Sequence, residues 1–159
     1  MKSPLQGAHD MDHFKRFKAK EIVPGKASGL ALVTRERLSF HGFIDPAQGI
    51  FSSPATELKG SSFAGRVLIF TSGKGASAGP RVLDAACRFG HVPAAIVNME
   101  IEPFIVQGCV FQGIPLVQVN DPTIFDHIKN GDMVTVDSGK GEVIIIPAIK
   151  QPVTDQSAS

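Results

Sequence analysis

The chain has little cysteine: Cys87 and Cys109 are the only two among 159 residues. Their separation fits neither zinc-ligand nor redox-motif spacing, and two thiols cannot by themselves hold an iron–sulfur cluster, which ordinarily takes about four. Both read as small buried hydrophobes, and no disulfide framework is required. An excess of one charge is also missing. Sixteen Lys and Arg face fifteen Asp and Glu, a formal net charge of +1, so no global field favours nucleic acid or an anionic membrane. Recognition must therefore be local. No apolar run approaches the ~20 residues that span a bilayer, and Lys15-Arg16-Phe17-Lys18 interrupts the N-terminal region. Together these absences predict a cytoplasmic protein that binds neither nucleic acid nor membrane.

Without a fixed-period repeat or a linker, one domain is the economical organisation. The chain is 43% hydrophobic, and a chain of this length can bury roughly two thirds of its unfolded surface. Residues 1–16 and 151–159 read as flexible tails around a single domain at 17–150. Within it, residues 19–23, 29–34 and 38–40 read as strands. Asp45-Pro46-Ala47-Gln48-Gly49 reads as a turn, its proline fixing φ and its glycine accepting reversed geometry. Further on, strand 67–70, helix 80–89, strand 94–97, helix 102–110 and strand 116–119 alternate at the spacing of βαβ units. A short helix at 123–129 and a hairpin of strands 133–136 and 142–146 close the domain. The expected fold is α/β, with a partly parallel central sheet, helices on one face and a second strand layer on the other.

The richest stretch is residues 71–80, Thr-Ser-Gly-Lys-Gly-Ala-Ser-Ala-Gly-Pro. It follows an apolar strand and opens an amphipathic helix, which is how a chain builds an anion pocket from convergent amide hydrogens. Gly73, Gly75 and Gly79 permit positive φ and close backbone approach. Lys74 adds a movable positive charge, and Ser72 and Ser77 offer hydroxyls. Neither the Walker phosphate loop nor the dinucleotide fingerprint matches. The loop lies at the carboxyl end of its strand, where ligands of open α/β sheets gather.

Several stretches, in this order, carry a family resemblance: residues 25–34, 38–46 with Gly49, 58–62, 65–70, Gly73-Lys74-Gly75, 92–98, 114–117 and Gly131-Asp132. From about Lys20 to Ile146 the chain resembles the small, swivelling subunit or domain of the aconitase X group of dehydratases, related to the mobile fourth domain of aconitases. The resemblance implies a swivelling β/β/α fold. It also implies a large partner subunit carrying an iron–sulfur cluster, and dehydration of a small hydroxylated acid. On this reading the chain itself binds no cofactor. Cis-3-hydroxy-L-proline is favoured over 5-phosphomevalonate as the substrate.

In that family the serine directly after Gly-Lys-Gly is the proton acceptor, and here Ala76 stands in its place. Ser77 becomes the expected acceptor, with Gly73, Lys74, Gly75, Ala76, Gly79 and Asp45 as the expected substrate-binding residues. The alternative is a non-catalytic, carboxylate-binding swivelling module. Phe43 also departs from the pattern, standing where the family often has glycine. Asp45 has a simpler role open to it, capping its own turn. His41, His91 and His127 read as structural or surface residues, and Arg66 as a solvated strand-edge charge.

Overall fold

The computed structural model describes residues 14–148. Its strands are β1 (Lys15–Lys18), β2 (Lys20–Val23), β3 (Lys26–Val33), β4 (Arg37–Leu38), β5 (Ile44–Asp45), β6 (Ile50–Phe51), β7 (Val67–Phe70), β8 (Ser72–Gly73), β9 (Ala95–Asn98), β10 (Leu116–Gln118), β11 (Met133–Asp137) and β12 (Glu142–Ile146). The helical elements among the described residues are α1 (Gly79–Arg88), α2 (Pro103–Gln112) and a 3-10 turn at Pro122–Asp126.

The main sheet runs β1-β12-β11-β3-β7-β9-β10-β2, and its character changes within β3. Residues 26–30 of that strand pair antiparallel with β11, whereas residues 31–33 run parallel to β7. On the parallel side β7, β9 and β10 follow one another, with β2 antiparallel at the edge. Arg66 sits at the change of partner, its guanidinium donating to the carbonyls of Leu30 at 3.1 Å and Ala31 at 2.7 Å. It is therefore not the solvated edge charge expected. It adds a donor to the backbone carbonyls at the switch in pairing, that of Ala31 also accepting the Gly131 amide at 3.0 Å.

Strand alternation then divides the interior into two cores. Leu68 and Phe70 of β7 pack with Leu83, Ile105 and Cys109 of the helices. Val67 and Ile69, on the opposite face, pack with Val134, Val136, Val143 and Ile145 of the closing hairpin. The hairpin half thus covers one face of the parallel strands and the helices cover the other, giving the expected β/β/α layering.

Boundaries differ from expectation at several places, among them the strand expected at 29–34, which runs over Lys26–Val33. Lys15 and Arg16, assigned to the tail, belong to β1, which pairs with β12. Residues 1–13 and the whole predicted C-terminal tail lie outside the described residues. The helix expected at 123–129 is a short 3-10 turn, and the strand expected at 38–40 is the two-residue β4, which pairs with β8 rather than joining the main sheet.

Gly29 shows how closely the layers meet, because a Cβ there would lie 2.4 Å from the carbonyl oxygen of Gly65. Backbone cannot yield as a flexible side chain can. We expect Gly29→Ala to cost about 1–3 kcal/mol, as overpacking of a tight contact does. A urea-unfolding midpoint unchanged from wild type would contradict it.

Candidate functional site

β7 delivers the chain to the edge where the loop begins. Asn98, at the end of the neighbouring β9, donates from Nδ2 to the Phe70 carbonyl at 3.1 Å. The Thr71 carbonyl accepts the amides of Met99 at 2.9 Å and Glu100 at 3.0 Å. The loop is thereby anchored to the adjacent strand. Ser72 and Gly73 then pair in parallel with Arg37 and Leu38, and the Lys74 amide extends the pairing to the Leu38 carbonyl at 3.0 Å.

Of the three loop glycines, only Gly75 has positive φ, at +83°. Gly73 is required for a different reason. A Cβ at this position would meet Glu102 Oε1 at 2.5 Å and Ile105 Cγ1 at 2.7 Å. Glu102 is the N-cap of α2, accepting the Phe104 amide at 2.6 Å and the Ile105 amide at 3.3 Å. Gly79 needs neither positive φ nor a close approach, since a Cβ there would meet nothing within 4 Å.

The loop, β4 and the start of α2 enclose a notch of about 10 Å³, bordered by Ser39, Phe40, Lys74, Ala76, Gly79 and Glu102. That is roughly the space of one water-sized group. Ala78, the N-cap of α1, offers no side-chain acceptor, and the first turn carries no acidic residue. The positive end of the helix dipole thus has no acidic group of its own, and the carboxylate bordering the same notch is that of Glu102. Lys74 is exposed, and its ammonium lies 5.3 Å from the centroid of the Phe43 ring, a favourable cation–π distance. Phe43 therefore gives the loop cation a resting position.

The expected site residues do not all converge. Lys74, Ala76 and Gly79 border the notch, and Gly73 and Gly75 shape the backbone beside it. Ser77 is exposed and borders a different depression, of about 400 Å³, with Pro80, Arg81, Asp84 and Phe111. Asp45 is turned to its own loop, with Oδ1 accepting the amides of Ala47 at 3.0 Å and Gln48 at 3.2 Å. His91 lies 3.0 Å from the Ala47 carbonyl through Nε2, consistent with a structural histidine.

Two notch residues escaped sequence reasoning. Glu102 carried a usable signal, an acidic residue before proline at the start of an apolar helical stretch. Ser39 carried none. It is 6% exposed, and its hydroxyl has no hydrogen-bond partner; with Asn98 Oδ1 it is one of two such buried side-chain atoms among the described residues.

With this geometry in view, comparison with known proteins is decisive about ancestry. The family model described as the aconitase X swivel domain matches residues 16–145. The chain belongs to the aconitase X swivel-domain family. The phosphomevalonate dehydratase small subunit of Methanothrix thermoacetophila is 43% identical over 131 residues, covering 82% of this chain and 94% of that one. The corresponding protein of Archaeoglobus fulgidus is 42% identical, covering 82% and 98%. The crystal structure of Thermococcus kodakaraensis aconitase X in its holo form superposes with a TM-score of 0.75 at 36% identity, covering 82% of this chain and 98% of that one.

As an aconitase X swivel domain, the chain offers poor ligands for the iron–sulfur cluster that the family resemblance implies. Among the described residues no three His, Cys, Asp or Glu side chains gather at metal-binding distance. Burial pushes the Cys109 thiol up to about 12, and Cys87 is raised by burial and then by the charge of Asp84. Both are held as thiols near neutral pH, the wrong form for ligation. The donor set does not fit the group. No helix among the described residues is long and apolar enough to cross a membrane.

Two outcomes follow. At pH 8, iodoacetamide should leave Cys109 unlabelled in the native protein and label it on denaturation, measured by mass spectrometry; rapid native labelling would contradict its burial. Gly73→Ala should displace Glu102 from its capping position and destabilise the protein by about 0.5–2 kcal/mol, the usual cost of a lost cap, measured by chemical denaturation.

Proposed function

We propose that this chain is the small subunit of a cytoplasmic hydro-lyase, working with a large partner subunit that holds the iron–sulfur cluster, and that it contributes the loop which meets the substrate. The observation that carries the reading is the notch at the carboxyl end of β7, where Lys74 and the uncapped start of α1 converge. Its small volume suits one oxygen-bearing group of a ligand whose remainder lies against another surface. That supports a shared site.

The substrate we infer is 5-phosphomevalonate rather than cis-3-hydroxy-L-proline. The hydroxyproline preference drawn from sequence is not supported, since relatives at 43% and 42% identity are named phosphomevalonate dehydratase small subunits.

In this reading the chain's residues bind, orient and exclude water. The amides about Gly75 and the Lys74 ammonium hold negative charge in place, and docking against the partner closes the notch to solvent. Ser77, bordering the other depression, is not well placed to take the proton. A second reading, a binding module without a proton acceptor, is favoured by one observation: Ala76 lines the notch where the family has serine.

Reconstitution with the large subunit decides between them. We expect dehydration of 5-phosphomevalonate, with Lys74→Ala lowering kcat/KM by about 10- to 100-fold, the value of a charged hydrogen bond. Ser77→Ala should retain nearly full rate. An inert wild-type complex that Ala76→Ser makes active would establish the binding module instead, and turnover of cis-3-hydroxy-L-proline alone would overturn the substrate.

A further inference from the structure

We propose that Ser39 is the hydroxyl this chain presents to its substrate, donating a hydrogen bond to an anionic oxygen seated in the notch beside Lys74 and the first turn of α1. The inference deepens the dehydratase reading and rests on it for the identity of the ligand.

Three features converge on Ser39. Its hydroxyl is buried without a partner, in a residue only 6% exposed, on the wall of the notch. A buried hydroxyl deprived of water is normally satisfied by protein, so an unpaired one in a residue that borders a cavity is a donor free to turn to a guest there. Its position is fixed by backbone: Leu38 pairs with Gly73 and its carbonyl takes the Lys74 amide at 3.0 Å, which sets Ser39 next to the loop cation. The surroundings bear on the sign of the guest. The start of α1 has neither a capping side chain nor an acidic residue in its first turn, and its dipole and Lys74 favour an anion, opposed by the Glu102 carboxylate that also borders the notch.

No other side chain supplies this hydroxyl. Ala76 has none, and Ser77 borders the separate depression with Pro80 and Arg81. Glu102 also faces the notch, but its carboxylate is engaged by the amides of Phe104 and Ile105. The anionic oxygen can belong to a carboxylate or to a phosphate. Either would accept from a hydroxyl that rotates freely about its Cβ–Oγ bond.

The test compares wild type with Ser39→Ala in the full-length chain and in the reconstituted complex. Because the hydroxyl lacks an internal partner, removing it should leave the melting temperature unchanged or raise it by a few degrees. Titration of the wild-type chain with inorganic phosphate and, separately, acetate should shift the amide NMR signals of Lys74 and Gly79. The more effective anion identifies the group recognised. Ser39→Ala should weaken that binding by about tenfold and lower kcat/KM of the complex by at least about as much.

A lower melting temperature for Ser39→Ala, or wild-type affinity for the anion, overturns the inference. So does the absence of shifts with either anion in the wild type. If the complex turns over and Ser39→Ala matches it, Ser39 fails while the dehydratase reading stands. If the wild-type complex is inert, that reading fails and the anion titration still decides the role of Ser39.

Discussion

The site depends on one close approach, that of Gly73 to the head of α2. A side chain on Gly73 would enter the Glu102 carboxylate and Ile105, so only glycine lets three segments distant in sequence meet: the loop after β7, β4 and the N-terminus of α2. Hydrogen bonds fix what packing permits. β4 pairs with β8, the Lys74 amide continues that pairing, and Glu102 closes two amides of the helix it begins. The notch exists because these constraints act on the same few residues.

Beneath that edge lies a scaffold that leaves the loop little freedom. Every residue of β7 is buried, and its side chains point alternately into the helical core and the hairpin core. A strand gripped on both faces cannot slip by one residue without exchanging its two sets of side chains. The change of partner within β3 extends the sheet to the hairpin layer, and Arg66 stabilises that change through two backbone carbonyls. Rigidity below suits preorganised amide donors above, which are effective only if they need not move to meet charge.

Much of the central architecture is legible in the residues. Val67-Leu68-Ile69-Phe70 is too short and apolar to be anything other than a buried strand between a glycine turn and a glycine loop, and the two helices carry proline at their starts. β1 is obscure for a physical reason: Lys15, Arg16 and Lys18 face solvent while only Phe17 is buried, so an edge strand protected by charge reads as a tail. β8 is obscure because Ser72 and Gly73 have no strand propensity of their own; their pairing is a tertiary contact with β4. The site divides in the same manner. Lys74, Ala76 and Gly79 are near neighbours in the chain, whereas Ser39 and Glu102 reach the notch only through folding. Periodicity places elements, but it cannot reveal which solitary serine will be left without a partner.

That solitary serine bears on why the notch is so small. Leaving a hydroxyl buried and unpaired costs about 1–3 kcal/mol, and replacing Ser39 by an apolar residue of similar size would remove the cost without disturbing Leu38 or Phe40, its buried neighbours. A defect this easy to remove is informative when it lies beside a helix start without a side-chain cap and a lysine, since all three can take up an anionic oxygen, against the Glu102 carboxylate on the same wall. A single oxyanion of about one water's volume would complete the three together, and a larger notch would admit further waters, which compete for the same donors. Smallness therefore serves selectivity: the site is poorly shaped to hold a whole acid, and well shaped to hold one charged oxygen of an acid whose other contacts lie elsewhere.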